Sequence, residues 1–421
     1  MSLVDLMPVA LRALPRDALV LLLTRVLRLF AYGALSVVLV FYLVSLGLGE
    51  AQVGLLLSLT LAGDIVISLM LTTRADQLGR RCTLVVGAIL MVGAGIAFAS
   101  THNLLYLILA GSIGVISPNG NEVGPFLSIE QAALSHVVSA SRRTEIFAWY
   151  TLAGSVATAL GALCAGAATG IVQKASFSAS DSYRFVILLY ATFGTALALL
   201  FRTLSSSTEV RDSASEEEAA TARKLLGVGP SRSIVFKLSG LFALDSFAGG
   251  FVVQSFAAYW FYLRFGAQPV KLGVIFFWAN VLSGISALLA SRLASRIGLV
   301  KTMVVTHLPS NVLLILVPLM PTLTLAVLML LLRFSISQMD VPTRQSYTIA
   351  VVRPEERSAA GGITGVARTA GAAMSPLFAG FLFSRPLLVD FPFFIAGALK
   401  IAYDLILYRE FVSLRPPEEV S

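Results

Sequence analysis

Charged residues are scarce in this sequence. Only 13% of its 421 residues are Asp, Glu, Lys or Arg, where a soluble domain carries about a quarter. Because 57% of the chain is hydrophobic, so few charges could not cover a water-exposed surface. Cysteine is nearly absent. Cys82 lies beside two arginines and Cys164 within an apolar run, which argues against a disulfide framework. The three histidines, His102, His136 and His307, show no ligand spacing, so no metal is called for. No phosphate-cradling P-loop is present, which argues against ATP drive within the chain. No nucleophile stands near a base. The sequence therefore calls for no enzyme activity, no cofactor and no nucleic-acid partner.

What the chain does have is long apolar segments. A membrane helix needs roughly 20 mostly apolar residues, and that ruler predicts about twelve spans. They cover 18–46, 52–73, 82–100, 104–137, 144–172, 183–202, 234–265, 271–292, 300–318, 322–352, 358–384 and 388–411. The first is too long for a signal-peptide core and lacks a cleavage site, so it reads as a true helix. The fold class expected is an all-α membrane protein in a lipid bilayer.

Basic residues set the expected orientation, because loops rich in Lys and Arg stay in the cytoplasm. Twenty fall on the side of the termini, among them Arg12, Arg16, Arg74, Arg80, Arg81, Arg142 and Arg143. Only five, Lys174, Arg184, Arg264, Lys271 and Arg385, fall on the other. Both termini are expected in the cytoplasm, and the membrane expected is the plasma (inner) membrane.

The apolar pattern breaks once, between Arg202 and Lys237. The chain divides there into a first six-helix half (1–202), a cytosolic linker (203–233) and a second six-helix half (234–421). Within the linker, Ser215 and Glu218 form a Ser-x-x-Glu capping box, with Glu216 and Glu217 at the positive helix end and Arg223 and Lys224 at the negative end. The halves look alike. A shift of 219 aligns Gly47 with Gly266, Gly54 with Gly273 and Gly79 with Gly298. A shift of 214 aligns Gln131 with Gln345, Arg143 with Arg357 and Gly166 with Gly380. Such duplicated transporters place their binding site at the interface of the repeats, near the bilayer midplane.

The loop after the second span reads Thr72-Thr73-Arg74-Ala75-Asp76-Gln77-Leu78-Gly79-Arg80-Arg81. It resembles the major facilitator signature G-x-L-A-D-R-x-G-R-R, matching at Ala75, Asp76, Gly79, Arg80 and Arg81. Thr72, Arg74 and Gln77 depart from it. A degenerate copy, Ser291-Arg292-Leu293-Ala294-Ser295-Arg296-Ile297-Gly298, follows the eighth span. The resemblance implies the major facilitator fold and a monomeric transporter of a small molecule. It also implies a conformational latch at Asp76, Gly79, Arg80 and Arg81, with the acidic residue docking near the start of the eleventh helix, here Ser358 to Gly361. Physically, Gly79 permits a tight turn, and Asp76 suits a helix N-terminus. In the fifth span Gly154, Gly161, Gly166 and Gly170 read as positions of close helix approach. The family's exporters often have a Gly-Pro-rich fifth helix, but the proline is missing here.

Ionisable residues within membrane spans are costly and are functional candidates by default. They are Arg25, Arg28, Asp64, Glu122 and Glu130 in the first half. In the second they are Asp245, Arg333, Asp340, Arg344, Arg368, Lys400 and Asp404. Most fall on the first, fourth, seventh and tenth helices, which the resemblance implies line the central cavity. Asp340 and Arg344 are spaced to pair at i, i+4, as are Lys400 and Asp404. The repeat sets Glu130 opposite Arg344, and depth sets Glu122 near Arg28. Asp245 and Glu130 also fit an interfacial position. Pro118-Asn119-Gly120-Asn121-Glu122, with Pro125 soon after, interrupts the fourth span near mid-depth, where unwound backbone serves binding sites.

The function expected is secondary active transport, coupled to protons through a buried carboxylate. Glu122, Asp64 and Asp340 are the candidates, with Glu122 first. The aromatic, weakly charged walls of the seventh helix favour export of a small organic compound. Uptake of a polar solute, using Asn119, Asn121 and Gln254, is the alternative, followed by a non-transporting sensor or scaffold.

Overall fold

The computed structural model describes residues 14–121, 124–139, 143–209, 230–353 and 356–414, with the side chains of Asp76, residues 143–145 and Ser358 outside that description. The described residues are helical apart from turns and caps. In chain order the helices are α1 (Arg16–Ser45), α2 (Glu50–Leu78), α3 (Arg80–Ser100), α4 (Leu104–Ile113), α5 (Phe126–Val137), α6 (Arg143–Lys174) and α7 (Ala179–Arg202). The second half has α8 (Arg232–Gly250), α9 (Gln254–Phe265), α10 (Pro269–Ile297), α11 (Leu299–Leu316), α12 (Leu323–Ile336), α13 (Asp340–Ala350), α14 (Arg357–Phe383) and α15 (Phe391–Phe411).

Among the described residues fifteen α-helices make twelve spans, because three spans are broken. The fourth is α4 plus α5, the seventh α8 plus α9, and the tenth α12 plus α13. Eleven spans are long and apolar enough to cross a membrane, and α4 is a shorter apolar helix in the place of the twelfth. The arrangement is an all-α membrane protein of two six-helix halves.

The repeat is visible in the backbone. Gly79 and Gly298 each begin the helix after a loop with φ of 88°, a left-handed value that only glycine adopts without strain. Gly47 and Gly266, paired by the same shift, have φ of 89° and 65°.

Within the first half α1 packs on α6 and α7, and α3 on α7. Within the second α8 packs on α14 and α15, and α11 on α15. The halves meet along two helix pairs, α2 with α14 and α6 with α10. Glycine lets these backbones close. A Cβ built on Gly54 would sit 2.8 Å from Gly380 Cα, and one on Gly166 would sit 3.1 Å from Gly273 Cα. The repeat relates these two contacts. At the same end Tyr259 donates to Glu50 at 2.8 Å, and the Phe41 ring meets those of Tyr259 and Tyr262.

That end lies away from the chain termini. Towards the other end the halves part. Gly361, Gly362 and Gly365, on the terminus side of α14, have nothing within 4 Å of a built Cβ. Among the described residues, the glycine and aromatic contacts between the halves lie at the end carrying the α1–α2 turn, and α14 is uncovered at Gly361, Gly362 and Gly365 towards the end carrying the termini.

Candidate site at the broken helices

Non-helical backbone survives at membrane depth only where its polar groups find partners inside the protein. In the fourth span, Gly120 (φ 68°) and Gly124 (φ 78°) turn the chain between α4 and α5. The Tyr190 hydroxyl donates to the Val115 carbonyl. Thr158 donates to the Gly120 carbonyl at 3.3 Å, and Ser117 to that of Asn121 at 2.7 Å. The Gly124 backbone N–H donates to the Asp64 carboxylate.

The remaining bonds of this break cross to the other half. The Ser255 N–H donates to the Pro118 carbonyl at 3.2 Å. The Gln254 N–H donates to Asn119 Oδ1 at 2.9 Å. Gln254 Nε2 donates to Ser36 Oγ of α1 at 2.7 Å, and Asn280 of α10 donates to Gln254 Oε1 at 3.2 Å. The broken fourth and seventh spans thus cap each other at the junction of the repeats. Asn119 and Asn121 remain exposed there, beside the buried Gln254. The sequence flagged Asn119, Asn121 and Gln254. The seventh-span break at 251–253 carries no proline and was not foreseen.

The tenth span breaks before Asp340, where the Gln338 N–H finds Ser286 Oγ at 3.3 Å. Pro342 follows within the first turn of α13. Its missing N–H falls among the first four, which have no intrahelical partner in any helix.

Two buried ionic clusters flank the junction. In the first half Arg28 of α1 meets Glu130 of α5 through two hydrogen bonds, at 2.6 and 2.8 Å, with both side chains fully buried. Thr24 donates to the same carboxylate at 3.0 Å, as does Tyr150. Arg25 lies over the Tyr150 ring at 4.0 Å, and Arg28 over Phe126 at 4.7 Å.

In the second half Asp245 of α8 is held by Lys400 of α15 at 2.5 Å and Arg344 of α13 at 2.8 Å. Arg344 also reaches Asp340 at 3.4 Å, the i, i+4 pair expected. His307 of α11 meets Asp404 at 2.8 Å, and Asn311 donates to Asp404 at 2.9 Å.

Two pairings read from the sequence are corrected here. Glu130 does not reach Arg344 across the halves; each is paired within its own half. Lys400 and Asp404 do not pair with each other, because Asp245 and His307 from neighbouring helices approach them instead. Arg28, the partner expected for Glu122, pairs with Glu130. Helical spacing reports one helix face and not the helix that packs against it, so these partners were illegible. Asp245 and Glu130 are buried within the bundle. Glu122 itself lies outside the described residues.

Asp64 differs from the other buried carboxylates. Its partners are the Gly124 N–H and, at 3.4 Å, the Ser68 hydroxyl. Among the described residues no cation stands within ion-pair distance of it.

At the loop between α2 and α3, Glu209 accepts from the Arg80 N–H at 2.6 Å and the Arg81 N–H at 3.1 Å. A carboxylate at these first N–H groups is stabilised by the helix dipole. The Arg81 side chain donates to the Leu204 carbonyl at 3.2 Å. The residue capping α3 thus comes from beyond α7, a contact no local motif signals. The docking of Asp76 near Ser358 rests on side chains outside the description.

Comparison with known proteins agrees with this architecture. The model of the Major Facilitator Superfamily matches residues 21–376. The chain is 31% identical over 425 residues to "Uncharacterized membrane protein YJR124C" of Saccharomyces cerevisiae, covering 95% of each. Among solved structures, a bacterial homolog of the human lysosomal transporter Spinster, inward-facing and unoccupied, is similar with a TM-score of 0.72. Its identity is 15%, and the match covers 95% of this chain and 98% of that one. The nucleoside transporter NupG is similar with a TM-score of 0.70 at 14% identity, covering 95% and 99%. At these identities the likeness to solved structures concerns the fold alone.

Proposed function

The chain belongs to the Major Facilitator Superfamily, and from that premise we propose that it is a secondary active transporter that moves a small molecule between its two halves. The carrying observation is the polar junction of Asn119, Gln254, Ser36 and Asn280. It joins the halves at the broken spans, beneath a closed end and beside an open one. A substrate entering from the open end meets exposed Asn119 and Asn121 at that junction. The excess of basic residues supports a cytoplasmic position for that end, and with it an inward-facing state. No enzymatic step is needed.

Rocking of the halves would open the glycine contacts of α2 with α14 and α6 with α10 while closing the terminus side. The Asp76–Gly79–Arg80–Arg81 loop is the latch of that motion, and Glu209 holds its α3 end in this state. Export of a small organic compound, driven by protons, is the preferred direction. Uptake of a polar solute is the second reading, favoured by the amides of Asn119, Asn121 and Gln254.

For coupling, Asp64 replaces Glu122 as first candidate, since its described partners are neutral donors. A carboxylate without a cation at membrane depth is the one whose protonation costs least. Asp340 is paired with Arg344 and is the weaker choice.

The test is purified protein in sealed vesicles, offered a panel of labelled nucleosides, sugars, amino acids and organic ions with and without an imposed pH gradient. Gradient-driven accumulation of at least one compound is expected. Binding without movement of any compound would leave the sensor reading and defeat the transporter one.

A further inference from the structure

Two arginines in the second half, Arg333 of α12 and Arg368 of α14, stand apart from both ionic clusters. Each has a buried Nε with no hydrogen-bond partner. Neither makes a salt bridge among the described residues, whereas Arg28 and Arg344 are paired. Guanidinium has five N–H donors and cannot neutralise itself by losing a proton. At membrane depth such a group calls for an anion.

The carboxylates nearby do not suffice. Among the described residues no carboxylate stands within ion-pair distance of Arg333 or Arg368, and the Phe334 ring 4.9 Å from the Arg333 guanidinium carries no net charge. Asp245 is already held by Lys400 and Arg344, Asp340 by Arg344, and Asp404 by His307 and Asn311. Among the described residues of this region four basic side chains, Arg333, Arg344, Arg368 and Lys400, stand with three carboxylates, Asp245, Asp340 and Asp404. The region has an excess of positive charge even with His307 neutral.

The α14 geometry says where Arg368 faces. Towards α8 this helix presents Gly371 and Ser375, against Ala243 and Gly250. Towards α2 it presents Pro376 and Gly380, against Gly54. At about 100° per residue, Gly361, Gly365 and Arg368 fall in the sector between those two contacts. Gly361 and Gly365 face open space. Arg368 therefore borders the cleft that opens between the halves, near the middle of its span. Arg333 lies on the tenth span, seven residues before Asp340, with its guanidinium over the Phe334 ring at 4.9 Å.

We infer that the cleft binds a small organic anion, whose carboxylate or phosphate completes the partners of Arg333 and Arg368. Planar guanidinium groups suit the two oxygens of such a ligand. The inference rests on the transporter reading for its location and supplies the substrate class. The polar junction at Gln254 would then contact the remainder of the molecule.

The test separates binding from transport. Purified protein in lipid nanodiscs is titrated with benzoate, succinate and phenyl phosphate, against neutral benzamide and cationic benzylamine, with thermal stabilisation as readout. At least one anion is expected to stabilise the protein, with benzamide and benzylamine ineffective. R333Q and R368Q are each expected to weaken that binding about ten- to hundredfold, as loss of a hydrogen bond to a charged group does. R368K should recover part of it. Because Gln keeps no charge but fills similar space, unchanged melting of the unliganded variants separates lost binding from misfolding. Should the variants melt early, anion selectivity of the unaltered protein decides the matter. Equal stabilisation by benzamide or benzylamine overturns the inference, as does stabilisation by chloride alone with no increment from the organic anions. Anion binding without vesicle counterflow would overturn the transporter reading and leave the anion site standing. Counterflow of neutral or cationic compounds only would do the reverse.

Discussion

Gly54 of α2 and Gly380 of α14 face each other across the two halves so closely that a methyl group on either would lie within 3 Å of the other's Cα. Gly166 and Gly273 form the repeat-related contact on the opposite side. Neither helix pair can close at this end with a larger residue in place. Gly54→Leu is expected to hold the end apart. Transport should fall at least tenfold, and a cysteine at Ser58, whose hydroxyl oxygen accepts from the Leu377 N–H at 2.8 Å across the same seam, should become reactive to a membrane-impermeant maleimide. Labelling is done with Cys82 and Cys164 replaced by serine, since both are exposed. Unchanged transport and no gain in labelling would show that closure does not depend on this contact.

The buried pair Arg28–Glu130 makes a different prediction. Removing one partner strands the other charge, at a cost of about 3–5 kcal/mol. Glu130→Ala should therefore lower the melting temperature of the purified protein sharply. Removing both charges, as Arg28→Met with Glu130→Leu, should cost less than Glu130→Ala alone. If the double variant is the less stable, the pair contributes net stability rather than merely satisfying itself.

These two contacts differ in how far the sequence discloses them. The spacing of apolar runs gave twelve spans, and the shift of 219 paired Gly79 with Gly298, which share one φ value. Pro118 and Gly120 announced the fourth-span break through their own backbone chemistry. By contrast, Lys400 and Asp404 satisfied an i, i+4 rule yet bind residues on α8 and α11. A charge on a helix finds its partner by packing, which is a property of the assembled bundle. At the Gln254 junction the sequence flagged Gln254 and Asn119, but their contact with each other and with Ser36 and Asn280 is likewise a product of packing.

Glu209 supplies a third prediction. It closes on the first two N–H groups of α3 beside Gly79. Glu209→Ala removes the charge at that helix end, worth about 0.5–2 kcal/mol as a cap. The loop at 76–81 should become more open to proteolysis and amide exchange, with the melting temperature shifting only slightly. Glu209→Asp should restore part of the protection. Identical exchange at Arg80 and Arg81 in all three proteins would mean that the contact is incidental.

The last prediction concerns Asp64. Its carboxylate accepts from the Gly124 N–H and lies near the Ser68 hydroxyl, so protonation leaves no stranded cation behind. At Glu130 or Asp245, protonation would uncover a buried arginine or lysine, which costs several kcal/mol. A proton moving through this protein would therefore be held most cheaply at Asp64. It would also be felt at once by the fourth-span break, because Gly124 is the last turn before α5. Asp64→Asn keeps the size and mimics the protonated form. It is expected to abolish accumulation driven by a pH gradient while downhill exchange of the same substrate continues. Loss of both activities with normal folding would assign Asp64 to the transport pathway without a coupling role. Full gradient-driven accumulation would remove Asp64 from the proton path and return the question to Glu122, where Glu122→Gln is the corresponding measurement.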